Sequence, residues 1–532
     1  MVQRQRETAV DIASPTGGGA SSETGLLRGL IAQVSLILVL GGVYVQTLLP
    51  GSGHSHDTAE AQFSVPLLCV THPTGYPSYL LLGHAFSRLV PLGTPAYRTN
   101  LLSAVFGVLA CLVVRRLLRR LGARELVAWA FAAAFGLTPT FWRFSVVAEV
   151  YSLNLLFVAL ISDWLLKWRR SLRDRDLLIA CAFYVASFGN HLTMITLLPA
   201  FVFFVVATRW RVLVEWKLVC AVGCMILLGL VPYAYPVVRS LDPDTPYLAY
   251  SVTSLGELWD YATGAVFRGE MFAFTVSQTV FERVPMFARF LWHECAPFIP
   301  LAVVGLVALA DRITVVYLGL VFLGHLVFAL GYAIGDVENY FIPTYFTTAV
   351  LAGVGLERVL SSRAGLRVPA VLCLSLPLAI AVYHRPEVER LKGSEKAEPM
   401  RQLLEDSRDG ALIIAGYNNY MYLLYLTLAE RLAGPSVFVG CEIGVADIVA
   451  YVRHDRPLYL VPLRKWAPPR LPVYSTQLGL RPELRAAGLG VQMVKPGVFR
   501  IERYPLTAPV AAHGTTAARA SFAASGQTKS AR

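Results

Sequence analysis

Long apolar runs alternate with short polar breaks along most of this chain. They cover residues 26–49, 101–118, 126–141, 146–166, 177–188, 192–207, 218–238, 291–310, 313–334, 341–356 and 368–382. Apolar runs approaching 20 residues read as membrane spans, so the pattern predicts about eleven transmembrane helices. Arg28, "RRLLRRLGAR", "KWRRSLRDRD", "TRWRVLVEWK" and "ERVLSSRAGLR" all fall on one side of that topology. Excess Lys and Arg mark the cytoplasmic side, which places the N-terminus inside and the C-terminus outside. Two breaks are long, residues 50–98 and 239–287, and both fall outside. Within the first, 79–90 is too short to span and reads as an interfacial or re-entrant helix.

The pattern changes beyond residue 385. "ALIIAG", "PSVFVG" and "PLYLVP" are short β-type runs, separated by helical stretches such as 420–431. This predicts a soluble extracytoplasmic α/β domain over 386–505. The polar ends, 1–24 and 506–532, read as disordered tails, leaving 25–385 as the membrane domain. The predicted class is therefore a mainly α, polytopic membrane protein with a small C-terminal α/β domain.

Composition sharpens this picture. Of 532 residues, 55% are apolar and only 15% charged, at a mean hydropathy of +0.54; soluble domains carry about 25% charged residues. The net charge of +12 would suit nucleic acid. Its basic residues sit at helix ends instead, which assigns them to the bilayer and excludes a nucleic-acid partner. Eight cysteines are scattered without a C-x-x-C pair, so neither a disulfide framework nor a zinc ribbon is indicated.

The unusual polar residues gather on the predicted outer side. Asp57 and Glu60 follow the first span, and His72 and Tyr76 lie in "THPTGYPSYLLLG". Arg98 and Asn100 open the second span. Glu149, Tyr151 and Asn154 stand in "FWRFSVVAEVYSLN", and Asn190 and His191 in "FGNHLTMITLLP". Arg268 lies in "ATGAVFRGEMF", and Asp336, Glu338 and Tyr340 in "GDVENYFIP". Ionisable groups at membrane depth are costly and pair or line a polar cavity. Each also has a plainer reading. The carboxylates are ordinary in a wet loop, the His-Pro-Thr-Gly-Tyr-Pro string makes a rigid turn, and Glu149 has Arg143 as a tie six residues away. The Asn and His of "GNHLT" would serve as caps.

In their order, these motifs resemble the multispanning domain-of-unknown-function family that includes the animal transmembrane O-mannosyltransferase of plexins, placed among GT-C glycosyltransferases. The resemblance covers roughly residues 26–385 and leaves the C-terminal piece out. It implies a GT-C architecture, a polyprenyl-phosphate-linked sugar donor and chemistry on the non-cytoplasmic face. It also implies a catalytic carboxylate in the first external loop, where Asp57 and Glu60 both qualify.

The expected function is transfer of a hexose, with mannose as the first candidate, to an extracytoplasmic hydroxyl on a protein, lipid or glycan, with inversion. A carboxylate within hydrogen-bond reach of the acceptor would take its proton. Arg98 and Arg268 are the candidates for gripping the leaving phosphate, because a guanidinium binds two phosphate oxygens at once. The remaining outer-side residues would position sugar or acceptor. No ligand spacing points to a metal, and the carboxylate pair leaves room only for weakly held Mg²⁺ or Mn²⁺. A polytopic transporter or lipid-binding protein is the rival reading, against which stands the lack of an internal repeat. A sensor with a ligand-binding C-terminal domain is a third. High Ala, Arg and Gly content fits a bacterial inner membrane.

Overall fold

The computed structural model describes residues 19–503 apart from 363–369, 393–396, 408–410, 433–437, 441–444, 455–457, 461–464, 468–472 and 496–497. The expected tail at 506–532 lies outside the described residues, as does 1–18. The first helix already begins at Gly19, so residues 19–24 are helical, ahead of the span at Gly25–Thr47.

The membrane part is a helical bundle. Its first half runs α1 (Gly19–Thr47), α2 (His56–Leu67), α3 (Pro77–Leu89), α4 (Pro95–Arg120), α5 (Glu125–Gly136), α6 (Pro139–Ser145) and α7 (Tyr151–Ser171). There follow α8 (Asp174–Phe188), α9 (Leu198–Arg209), α10 (Trp216–Gly229), α11 (Ala234–Leu241), α12 (Leu255–Ala262) and the single turn α13 (Val276–Gln278). The second half comprises α14 (Val284–Cys295), α15 (Ile299–Ala308), α16 (Arg312–Gly331), α17 (Ile342–Ser361) and α18 (Ala370–Glu389).

Among the described residues, five helical stretches are long and apolar enough to cross a membrane: Gly25–Thr47, Pro95–Arg120, Leu192–Leu213, Trp216–Leu241 and Arg312–Gly331. The Val276–Cys295 and Ile299–Ala308 pair, bent by 92°, makes a sixth if taken as one span. The other apolar runs expected to span fall on helices that are shorter or carry more polar residues. The apolar run at 146–166 is one such case. Its helix α7 starts only at Tyr151, and it carries Ser152, Asn154, Ser162 and Asp163. Residues 146–150 form a non-helical break holding Glu149.

Cross-helix ion pairs tie the basic end together. Buried Asp163 of α7 accepts from Arg116 (2.9 Å) and Arg120 (2.5 Å) of α4. Arg169 meets Asp311 at 2.6 Å, and Arg124 meets Glu357 at 2.9 Å. Within the bundle, α15 and α17 cross through Gly305 and Gly355. A Cβ on either would run into the facing backbone, at Leu351 and Leu301 respectively. Small residues permit this kind of backbone approach between membrane helices.

Both long breaks between the apolar runs are ordered. The first folds into α2 and α3, and Val70 pairs in parallel with Leu248 of the second. Ala249 N–H donates to Val70 O (2.8 Å), and Tyr261 Oη donates to Thr71 O (3.0 Å). The short segment expected at 79–90 is α3, which leaves Leu81, Leu82 and Leu89 exposed.

The C-terminal part holds α19 (Ala397–Asp406), α20 (Tyr417–Leu424), α21 (Val445–His454) and α22 (Arg481–Ala486). Its strands are β1 (Leu412–Ile414), β2 (Phe438–Gly440), β3 (Leu458–Leu460), β4 (Lys465–Ala467), β5 (Val473–Ser475), β6 (Leu489–Lys495) and β7 (Val498–Arg503). A five-stranded sheet has the order β2-β1-β5-β7-β6, parallel from β2 to β5 and antiparallel thereafter. "ALIIAG" supplies β1 and "PSVFVG" β2. "PLYLVP" supplies β3, which leaves the main sheet to form a hairpin with β4. This part packs on the bundle through α20. Tyr420, Met421, Leu423 and Leu424 share an apolar core with Ala59 and Phe63 of α2.

Candidate active site

The site is built on the first turn of α2. Ser55 caps that helix, its Oγ accepting from Thr58 N–H at 3.0 Å. Asp57 and Glu60, three residues apart on one face, then diverge in environment. Glu60 is buried, at 1% exposure, whereas the Asp57 side chain is 38% exposed. Both Glu60 oxygens are engaged by one residue: His72 N–H donates to Oε1 (3.1 Å), and the His72 ring Nδ1 contacts Oε2 closely. Asp57 Oδ1 lies 3.8 Å from His72 Nδ1 and 3.3 Å from His56 Nε2. His72 is thus set between a locked carboxylate and an open one. Burial works against its charge, but the attraction of Glu60 and then Asp57 prevails and lifts it to about 10.

The Pro-Thr-Gly-Tyr-Pro elbow fixes this arrangement. Gly75 (φ +84°) and Tyr76 (φ +46°) both lie in the left-handed region. Gly75 packs against the hydroxyl end of the Tyr261 ring, and Pro77 opens α3 directly afterwards. The turn aims the Tyr76 hydroxyl at His72 Nε2 (3.3 Å) and stacks its ring on His191 at 5.7 Å.

From His191 an aromatic wall continues through Tyr151 (5.8 Å) and Tyr340 (5.7 Å) to Tyr332, 5.2 Å from Tyr340. His191 Nδ1 accepts from Thr193 N–H at 3.2 Å, which leaves Nε2 to carry the ring proton. Burial and then the neighbouring His72 push His191 down to about 4, so this ring is neutral while His72 is charged.

Together these groups line a cavity of about 420 Å³. Its wall includes His56, Asp57, His72, Tyr76, Tyr151, His191, Tyr332, Asp336 and Tyr340. Burial and the facing Asp57 hold the Asp336 carboxyl above its ordinary range. A larger apolar cavity of about 1010 Å³ lies alongside, among α8, α9, α10, α11 and α12. The two share Leu192, and Thr263 of one adjoins Gly264 of the other. Asp57, Glu60 and His72 place three ligand-type atoms within 4.8 Å of one another, so this is where a divalent ion would fit. In the structure the His72 ring itself bridges the two carboxylates.

The other sequence candidates have varied placements. Glu149 Oε1 accepts from Thr58 Oγ1 (2.8 Å) and Ser55 Oγ (3.2 Å), tying the break before α7 to the head of α2. Arg143, the alternative partner for Glu149, pairs with Glu338 at 2.8 Å. Asn100 Nδ2 donates to Leu49 O (2.8 Å), and Asn190 Nδ2 to Val150 O (3.2 Å), so both fasten backbone. Asn154 is buried in α7, away from the cavity wall. Neither Arg98 nor Arg268 lines the cavity; Arg268 donates to Thr263 Oγ1 (3.0 Å) and is half exposed.

Sequence reasoning passed over the wall groups His56, Tyr332 and Tyr417, and Asn418 behind them. His56 sits beside Asp57, and adjacency was a usable signal. Tyr332 lies eight residues before Tyr340, in the same connection between α16 and α17. Tyr417 and Asn418 come from α20. Tyr417 meets the His56 ring at 4.9 Å, and Asn418 Oδ1 meets His56 Nδ1 at 2.8 Å across 362 residues of chain. Nothing local in "GYNNY" marks that contact.

Residues 57–214 match the family described as the protein O-mannosyl-transferase TMEM260 N-terminal domain, a range that begins at Asp57. The mouse (Mus musculus) protein O-mannosyl-transferase TMEM260 is 26% identical over 457 residues, covering 79% of this chain. The chain spans 64% of that relative's length. Among solved structures, ArnT from Cupriavidus metallidurans in the apo state has a TM-score of 0.58 at 13% identity, covering 90% of this chain and 98% of ArnT. ArnT bound to undecaprenyl phosphate gives 0.55 at 14% identity, covering 88% and 97%. At such identities the structural likeness is one of fold. Over residues 57–214 the chain is thus similar to the TMEM260 N-terminal domain family, and its overall fold is similar to that of ArnT.

Proposed function

We propose that this protein is a glycosyltransferase. It moves a hexose from a polyprenyl-phosphate donor to an acceptor hydroxyl, in one inverting step, on the extracytoplasmic face of a bacterial inner membrane. The observation that carries this reading is the split between the two carboxylates. Glu60 has both oxygens occupied by His72, while Asp57 opens into the 420 Å³ cavity. Only an accessible carboxylate can accept a proton from an entering hydroxyl, so Asp57 is the base and Glu60 the group that holds His72. The acceptor oxygen forms its bond to the anomeric carbon as the bond to the phosphate oxygen breaks. The proton goes to Asp57 and the electron pair leaves with the lipid phosphate.

His72, lifted to about 10, is the positive group that faces this chemistry. It takes the phosphate-facing role for which Arg98 and Arg268 are the sequence candidates. The tyrosine wall offers rings for the sugar's apolar face and hydroxyls for its polar edge. The names of the relatives support the class of reaction: one is a protein O-mannosyl-transferase, which favours mannose and a protein hydroxyl. The ArnT structure with undecaprenyl phosphate supports a lipid-phosphate donor. Mg²⁺ or Mn²⁺ at Asp57, Glu60 and His72 would have to displace the His72–Glu60 contact.

The apolar cavity beside the site fits the prenyl chain, its wall being almost wholly hydrocarbon. Ile226 lines it and is half exposed. Filling that space with Ile226→Trp is expected to raise KM for a long-chain donor about 10-fold, the loss of roughly two buried methylenes. A donor of two isoprene units should be unaffected. The check is transfer by the purified chain in nanodiscs with both donors. Equal effects on both would detach the cavity from the donor, and no transfer from either by the unaltered chain would refute the proposed reaction.

A further inference from the structure

A second set of metal-type ligands lies away from the cavity, at the junction of α14 with α18. Within α18, His384 and Glu387 are three residues apart on one face. His293 reaches them from the last turn of α14, just before the chain bends by 92° into α15. His293 Nε2 is 3.4 Å from Glu387 Oε2, and His384 Nδ1 is 3.7 Å from the same oxygen. One ligand atom from each of the three lies within 4.8 Å of the other two. An ion bound tetrahedrally at about 2.0–2.1 Å from N and O ligands holds those atoms about 3.4 Å apart. Two of the three edges are already close to that length, and the third lies within 4.8 Å.

The surroundings are those of a ligand set. His293 Nδ1 faces Glu294 Oε1 at 3.8 Å, and that carboxylate is held by Thr140 N–H at 3.2 Å. A carboxylate behind a histidine sets the tautomer that points the other nitrogen at a metal. His384 is buried, while His293 and Glu387 keep solvent access for a fourth, water ligand. The nearby cation, Arg143, is neutralised by Glu338 at 2.8 Å.

We propose that His293, His384 and Glu387 form a zinc-type site that fastens the α14–α15 elbow to α18, the helix leading into the C-terminal part. Two imidazoles and one carboxylate suit a borderline divalent ion, and the affinity order for such sites places Zn²⁺ above Mn²⁺ and Fe²⁺. This inference is independent of the proposed transferase chemistry.

The test is Zn²⁺ binding by the full chain in nanodiscs, stripped with chelator and titrated in competition with a chromophoric chelator. Co²⁺ absorption serves as a second readout of tetrahedral ligation. The control is Asp57→Asn, because Asp57, Glu60 and His72 are the other cluster able to hold an ion. One Zn²⁺ per chain is expected in both the unaltered protein and Asp57→Asn. Affinity should fall at least about 100-fold in His384→Ala and in His293→Ala. His293 is half exposed, so its variant tests the site even if loss of buried His384 disturbs folding. The inference is overturned by absence of zinc binding in the unaltered chain. It is equally overturned by undiminished affinity in His293→Ala, or by binding that disappears with Asp57→Asn.

Discussion

Asp57→Asn is expected to cut turnover by about 10²–10⁴-fold while leaving donor binding nearly unchanged. That range is the usual contribution of a positioned general base. Asn preserves the shape and the place in the first turn of α2 but cannot take a proton. Glu60→Gln is the informative partner. Glu60 does not reach the cavity; its oxygens receive His72 N–H and contact the His72 ring. Its loss should cost about 10-fold and act through His72, whose charge it sustains. His72 is raised, so it is protonated through neutral pH and loses its proton only near 10. The stability its charge supplies is complete below its ordinary value near 6.5 and fades as pH rises through about 10. An alkaline limb in kcat/KM should therefore sit near 10 in the unaltered protein and shift toward neutrality in Glu60→Gln. Asp57→Asn should lower turnover by about the same 10²–10⁴-fold at every pH. Reversed magnitudes for the two variants would exchange the roles of the two carboxylates.

Gly75→Ala should be nearly as damaging, by a different route. Gly75 has φ +84°, and a Cβ there would fall into the Tyr261 ring. The left-handed conformation costs an alanine about 1–2 kcal/mol. Forcing a methyl into a packed ring adds about 1–3 kcal/mol. Three residues earlier stands His72 and one residue later Tyr76, so the elbow cannot relax without moving both. A displacement of about 1 Å at reacting groups lowers rates about 10²-fold. The double variant Gly75→Ala, Tyr261→Ala relieves the clash but not the backbone strain, and it should recover part of the lost activity and thermal stability. The check is a double-mutant cycle on kcat and on midpoint of thermal unfolding. Additive effects would mean that Gly75 and Tyr261 act independently.

Legibility in the sequence followed the length scale of each feature. Asp57, Glu60, His72 and Tyr76 fall within twenty residues, and their types and order already announced a built loop. Their differing burial was not readable, because it depends on α20 and the 239–287 segment covering one side of α2. Tyr151, His191 and Tyr340 stood out as polar or aromatic groups at helix heads, where the wall indeed forms. Asn100 and Asn190 stood out for the same reason, yet they fasten backbone carbonyls. Sequence shows that a polar group is costly at that depth but not which partner compensates it. Arg98 and Arg268 illustrate a further limit: an Arg near the site in sequence need not line its cavity. Tyr417 and Asn418 were invisible because their contact to His56 spans 362 residues. The helical count diverged where polar insertions such as 146–150 interrupt apolar runs.

The most direct measurement is hexose transfer by the purified full chain in nanodiscs, from a polyprenyl-phosphate hexose to a hydroxyl acceptor, with the product anomer read by NMR. A single open carboxylate acting as base predicts a product whose anomeric configuration is opposite to the donor's, and no product from a nucleotide sugar. Retention of configuration, or transfer from the nucleotide sugar instead of the lipid, would contradict the account.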